Sequence, residues 1–254
     1  LASWRVDDNT VHFSVRNLSM KHPVRSVSPR VAAAPIDENT RLRLKAGLAL
    51  AACAATGAAL RPVRAQGRAP AEGTEYRAIK PPQVPEDQSR IEVIEFFWYG
   101  CPHCAALDPA LTAWAAKLPS DVAFRKVHVP FNEVKHQQLF YALETMGKAD
   151  DATNAKVFAA IHTERNRMDT VDRIASYLEK HGIDRKAFTE AFESFTVQTK
   201  MRKATALAAA YKIDSVPMLA INGKYLTSPS QAGSNGNALM VADALIDRER
   251  KARK

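Results

Sequence analysis

Cys101 and Cys104 stand three residues apart around Pro102 and His103, and they are the side chains of this sequence best suited to covalent chemistry. A thiolate attacks a disulfide or departs from one; the protonated thiol does neither. Cysteines one helical turn apart can close a small disulfide ring with each other. Pro102 suits the first turn of a helix, where a missing N–H costs nothing. His103 can offer a hydrogen bond or a positive charge to the Cys101 thiolate. Such help lowers the thiol pKa and stabilises the reduced pair, so the disulfide becomes the stronger oxidant. An inert disulfide is a weaker reading, because a bridge over three residues removes little chain entropy. Half of a zinc site is the other alternative. No second close cysteine pair or Cys/His pair follows, and the third cysteine, Cys53, lies far upstream, so no metal is expected.

The elements around the pair can be read from periodicity. Ile91 to Tyr99 is β-branched and aromatic, the pattern of a largely buried strand, and it runs through Gly100 straight into the cysteines. A helix follows over Ala105 to Leu118, with Leu107, Leu111 and Trp114 at helical spacing and Pro119 to end it. Cys101 then falls at a helix N-terminus, where unpaired N–H groups and the helix dipole favour an anion. Tyr76 to Lys80 reads as a short edge strand and Val122 to Val129 as a second full strand. Helices fill residues 131–211, marked by stripes at Leu139, Leu143 and Met146; Val157 and Ile161; Val171, Ile174 and Leu178; and Phe188, Phe192 and Phe195, with Asp184 as an N-cap. These stripes read as helix-packing core. Val216 and Pro217 precede a strand at Met218 to Ile221, and Pro217 is either a cis proline or an ordinary trans proline opening the strand. Asn222 and Gly223 form a hairpin turn, returning through Lys224 to Leu226, and Ala238 to Arg250 closes the chain as an amphipathic helix. Sheet elements thus flank a block of helices, the pattern of one α/β core with a helical insertion. His128, His136, His162 and His181 read as structural or surface residues.

The net charge of +9 over 254 residues is concentrated at the ends of the chain. Residues 1–65 carry ten Lys/Arg and four Asp/Glu, which leaves only +3 for residues 66–254. A basic domain face, the footprint of a nucleic-acid binder, is therefore not expected. Arg41, Arg43 and Lys45 followed by the apolar run Ala46 to Leu60 read as a signal peptide over 41–65, cleaved after Ala65. The run is too short and too weakly apolar for a membrane span. Leu50 to Cys53 offers a rival, the lipobox of a lipoprotein anchored at Cys53. Residues 1–40 show no apolar period and are left unassigned, as an over-extended reading frame or a truncated chain; residues 66–74 read as linker.

With these residues in place the chain resembles the DsbA family of periplasmic thiol–disulfide oxidoreductases, within the thioredoxin-like superfamily. The resemblance runs through Glu95 to Cys104, Lys126 to Val129, Val216 and Pro217, and Asn222 to Tyr225, in that order, and covers roughly residues 74–250. The Pro-His pair between the cysteines is the version associated with this family, where thioredoxin usually carries Gly-Pro. The resemblance implies an α/β, thioredoxin-like fold with an inserted all-helical domain: a first part over residues 75–130, the insertion over 131–211 and a second part over 212–254. It implies Cys101 as the exposed nucleophile and Cys104 as the buried resolving cysteine of a redox disulfide, with Pro102 and His103 tuning the thiolate. Pro217 is implied as a cis-proline beside the disulfide, and Val216 as the residue whose backbone pairs with a bound peptide. Glu95, Asp108 and Lys126 are implied as buried or semi-buried charges that tune the thiol. Asp108 reads equally as a solvated surface charge, whereas Glu95, inside an apolar strand, needs a partner such as Lys126. Two features depart from the family: Gly100 in place of a bulky residue beside Cys101, and a loose, polar segment at Ser228 to Asn237.

The implied activity is dithiol oxidation that introduces disulfides into exported proteins in the periplasm. The implied partners are unfolded exported proteins with reduced cysteines and a DsbB-like quinone-linked membrane oxidase; no cofactor and no nucleic acid are implied, and the chain is expected to be a monomer. A disulfide reductase or isomerase on the same fold, or a chaperone-like binding module, is the alternative. Isomerases of this kind usually carry a dimerisation domain, for which Gln66 to Glu75 is too short.

Overall fold

The structure, a computed structural model, describes residues 69–253. The expected signal peptide at 41–65, the alternative anchor at Cys53 and the extension at 1–40 lie outside the described residues. A two-residue strand β1 (Arg77–Ala78) leads to β2 (Ile91–Phe97), α1 (Pro102–Ala115) and β3 (Val122–His128). Five helices follow: α2 (Val134–Thr145), α3 (Asp151–His162), α4 (Val171–Glu179), α5 (Arg185–Glu193) and α6 (Phe195–Ala210). The chain then returns to the sheet through β4 (Met218–Ile221) and β5 (Tyr225–Thr227), and ends with α7 (Pro229–Ala232) and α8 (Asn235–Ala252).

The sheet runs β1-β5-β4-β2-β3. Its centre is β2, whose seven residues are all buried, which is why that stretch reads as nearly continuous apolar sequence. β3 lies parallel to it and β4 antiparallel, in a register that sets Glu95 opposite Lys126 on one side and Leu219 on the other. Alternation along β2 divides its side chains between two faces. Ile91 and Val93 pack with Leu107 and Leu111 of α1 and with Val241 and Leu245 of α8. Ile94 and Phe96 face the other way, where Phe96 meets Tyr211 at the end of α6. The helical block and this second face share one continuous buried cluster, which includes Leu139, Leu143, Val157, Ile174, Leu178, Phe188 and Phe192.

Polar side chains start these helices at defined places. Asp150, Thr170, Asp184 and Ser194 each accept a hydrogen bond from a backbone N–H in the first turn of the following helix. Phe195 is the exception to the apolar stripes. Ser194 caps a new helix there, so the Phe188 and Phe192 period is broken, and Phe195 projects from the first position of α6 at 78% exposure, beneath Arg202. The segment Ser228 to Asn237 is likewise ordered rather than loose. Ser228 caps α7 and Ser234 caps α8, while Asn235 and Asn237 donate to the Ala106 and Ala232 carbonyls. Its polarity comes from capping residues, which a composition-based reading takes for a loop.

The β4–β5 hairpin turns on Asn222 and Gly223, both with positive φ (50° and 67°), the backbone that tight two-residue hairpins require. Asn222 and Lys224 both donate to the buried carboxylate of Glu249 on α8, at 2.6 and 2.7 Å, and pin the turn against the closing helix. Gly223 is also approached by backbone: a Cβ there would stand 1.9 Å from the Gln83 carbonyl oxygen. Gly223→Ala is expected to destabilise the protein by about 2 kcal/mol or more, from the left-handed backbone and the clash together. Urea denaturation of the two proteins measures this, and equal midpoints would remove the close approach as a constraint on the fold.

Candidate active site

The junction between β2 and α1 is a four-residue turn, closed by the Cys101 N–H donating to the Trp98 carbonyl at 2.9 Å. Cys101 is the N-cap of α1 and Pro102 its first helical residue, so the sulfur lies among the free N–H groups of the first turn. Because β4 runs antiparallel to β2 with Met218 opposite Phe96, Val216 and Pro217 fall at the same end of the sheet as Cys101. The Cys101 thiol donates to the Val216 carbonyl at 3.4 Å, and the Val216–Pro217 peptide bond is cis. Both cysteines are free thiols. Cys104 is sealed at 0% exposure and Cys101 retains 7%, which makes Cys101 the more accessible sulfur but a more enclosed one than an exposed nucleophile.

The two sulfurs differ sharply in acidity. The Cys101 thiol is brought down to about 6, first by the hydrogen bond from the Cys104 side chain and, against the opposing effect of burial, by the backbone N–H groups of Cys104 and His103 and the His103 charge. Burial pushes the Cys104 thiol far up, and the neighbouring Cys101 sulfur adds to the effect. A negative charge on this pair therefore resides on Cys101. His103 itself is exposed to solvent and acts on the sulfur from the rim.

Residues read from the sequence as structural hold the turn in place. The Tyr99 N–H donates to Nε2 of His128 at 3.1 Å, and His162 Nε2 donates to the Tyr99 carbonyl at 2.8 Å. His128 accepts that bond as a neutral ring, since complete burial holds its pKa well below the ordinary histidine value. The Tyr99 hydroxyl bonds Oδ1 of the buried Asn154 on α3. Gly100 answers a different demand. Trp98 folds its indole back over the turn, and a Cβ on residue 100 would lie 2.2 Å from Cζ2 of that ring. The space a bulky residue would fill beside Cys101 is occupied by Trp98, whose ring also packs against Phe131 and His136. Periodicity cannot reveal these holds, because they join a turn to side chains 29 and 63 residues away.

Beneath the turn lie Glu95, Asp108 and Lys126. Lys126 Nζ bonds Asp108 Oδ1 at 2.5 Å, while Glu95 Oε2 stands 3.9 Å away. Asp108 is only 5% exposed, so the solvated-surface reading fails for it; α1 turns this residue inward toward β3. Glu95 Oε2 is buried without a hydrogen-bond partner. Its desolvation outweighs the attraction of a lysine already committed to Asp108, and the carboxyl is raised from 4.5 to about 7. The folded protein then holds a proton that the unfolded chain has lost between those two values. This group's contribution to stability is accordingly lost as pH rises from 4.5 to about 7, and is level above that. Glu95→Gln is expected to match wild type at pH 4 and to exceed it at pH 8 by on the order of 3 kcal/mol. Urea unfolding of the dithiol form across this range measures the difference; parallel pH profiles for the two proteins would show that Glu95 ionises freely.

Comparison with known proteins agrees with this geometry. Residues 92–237 match the family described as DSBA-like thioredoxin domain. The thiol:disulfide interchange protein DsbA of Azotobacter vinelandii is 44% identical over 195 residues, covering 74% of this chain and 90% of that protein. Its counterpart in Bordetella parapertussis is 41% identical over 207 residues, covering 80% of this chain and 96% of the relative. Among solved structures, that of Pseudomonas aeruginosa DsbA superimposes with a TM-score of 0.69 at 38% identity, over 71% of this chain and 95% of the other. An oxidoreductase DsbA of Neisseria meningitidis superimposes with a TM-score of 0.65 at 26% identity, over 72% and 95% of the two chains. The sequence motif, the thioredoxin-like sheet with its five intervening helices and these relatives agree: the chain belongs to the DsbA family of thiol:disulfide oxidoreductases.

Proposed function

We propose that this enzyme is an exported dithiol oxidase acting through Cys101 and Cys104. In the oxidised enzyme a substrate thiolate attacks Cys101 Sγ; the Cys101–Cys104 bond breaks, and Cys104 leaves as a thiolate that takes up a proton, as its raised pKa favours. A second substrate thiolate then attacks the substrate sulfur of the mixed disulfide. The substrate disulfide forms and Cys101 departs as a thiolate, a good leaving group at a pKa of about 6. Two electrons remain on the enzyme as the dithiol, and a DsbB-like quinone-linked membrane oxidase is the partner suited to remove them. What carries the reading is the asymmetry of the pair: one acidic sulfur at the mouth of α1 and one sealed sulfur directly behind it.

Substrates on this reading are unfolded exported proteins with reduced cysteines. Val216, beside the cis Pro217 and within reach of Cys101, is suited to pair its backbone with an extended peptide. His103 and Pro102 shape the thiolate, and Glu95, Asp108 and Lys126 set the charge beneath it. The organisation proposed is a signal peptide at 41–65, a linker at 66–74, and thioredoxin-like parts at 75–130 and 212–254 around a helical insertion at 131–211. The chain is then released into the periplasm after Ala65 or, less simply, anchored at Cys53, and the mass of the exported protein separates the two.

Equilibration against glutathione buffers is expected to give a potential well above the roughly −270 mV of thioredoxin. A value near thioredoxin's would replace the oxidase reading with a reductase. The pH dependence has a defined sign. The Cys101 thiolate stabilises the folded dithiol form, fully above its unfolded value of 9.0, and this stabilisation is lost as pH falls through about 6. The disulfide form has no such group, so the stability gap between the two redox forms is expected to shift in favour of the disulfide form on acidification from pH 8 to pH 5. A gap that stays constant over that range would show that Cys101 is an ordinary thiol.

A further inference from the structure

We propose that His162, at the end of α3, is a positioning residue for Cys101 that acts through the Tyr99 carbonyl. The inference rests on the reading of Cys101 as the attacking sulfur. Tyr99 lies inside the turn that delivers Cys101 to the start of α1, and both of its backbone groups are engaged: the N–H by His128 of β3, the carbonyl by His162 at 2.8 Å. The turn's own closing bond, Cys101 N–H to Trp98 O, is a single local hydrogen bond, whose net contribution is modest because water competes for both groups. Left to itself such a turn samples other conformations, and the N–H groups of His103 and Cys104 then no longer converge on the Cys101 sulfur.

Among the holds on the turn, the one from His162 comes from the helical block. The same helix takes the Tyr99 hydroxyl on Asn154, whose amide is itself oriented by donating to the Ala149 carbonyl. The His162 ring is packed against Phe158 one turn earlier, with ring centroids 6.2 Å apart, so the donor direction is fixed. Only Gly100 separates Tyr99 from Cys101, and the Trp98 indole lies where a Cβ of residue 100 would stand, against the peptide that carries the Tyr99 carbonyl. A displacement of the Tyr99 carbonyl is therefore passed on to Cys101. Two other histidines read alongside it engage carbonyls elsewhere, His136 that of Arg167 and His181 that of Tyr177.

The test compares His162→Leu, His162→Gln and, as a control distant from the turn, His181→Ala in the full chain. Thiolate ultraviolet absorbance of the dithiol form gives the Cys101 titration, and equilibration with glutathione gives the oxidising strength. The leucine variant is expected to titrate about one pH unit higher, with an equilibrium constant about five-fold less oxidising at pH 7. Glutamine, whose side-chain N–H can reach the same carbonyl, is expected to restore most of both, and the control to match wild type. Should the leucine variant fail to fold, His162→Phe keeps the ring packing, removes the donor and carries the same expectation. A titration and an equilibrium constant unchanged in the leucine or phenylalanine variant, whatever happens to its melting temperature, would overturn the proposal. So would equal shifts in the leucine and glutamine variants, which would trace the effect to packing alone. A wild-type chain that exchanges no disulfides would instead overturn the reading of Cys101 itself, and this proposal with it.

Discussion

A sulfur anion needs donors around it and water near it, whereas its partner sulfur needs neither, and the junction of β2 with α1 meets both demands within four residues. The N-cap position gives Cys101 the converging N–H groups of the first helical turn, and one turn further Cys104 is carried into the core. The rest of the architecture follows from holding that junction still. β2 must be central and wholly buried so that its end is fixed. β4 must run antiparallel to it so that Val216 reaches the sulfur, and α1 must lie on the sheet so that Cys104 faces inward.

The same enclosure burdens the protein with charge in its interior. Lys126 is held between Asp108 and Glu95 but bonds only the first, so a carboxyl without a hydrogen-bond partner sits under the active pair. Its ionisation and that of Cys101 oppose each other, since each raises the energy of the other's anion. A protein selected only for stability would carry an apolar residue at position 95. Retaining the acid ties the charge state of the core to the redox state of the Cys101–Cys104 pair.

Much of this was legible in the sequence, and the exceptions share a cause. β2, α1, the hairpin at Asn222 and Gly223 and the helical stripes are local patterns, and periodicity or turn chemistry reads them directly. Glu95 betrayed itself by being a carboxylate in an apolar strand. Asp108 did not, because on a helix one position in the chain says little about which way the side chain faces until the partner strand is known. Phe195 misled by continuing the spacing of Phe188 and Phe192 across a serine that starts a new helix. Ser228 to Asn237 looked unstructured because residues that cap helices are the same ones that fill loops. The histidine holds on Tyr99 are contacts between distant segments, invisible to any pattern that spans a few residues.

The Val216 carbonyl that receives the Cys101 thiol lies 115 residues further along the chain. A polypeptide emerging N-terminus first presents both cysteines well before the strand that completes their surroundings exists. During that interval Cys104 has no core to hide in and Cys101 has no finished helix mouth to acidify it, so the two sulfurs behave as ordinary thiols of an unfolded chain. Each newly made molecule thus passes through a stage in which Cys101 and Cys104 are chemically alike, and the difference in acidity that separates them arises only when the last strands of the sheet close over the junction.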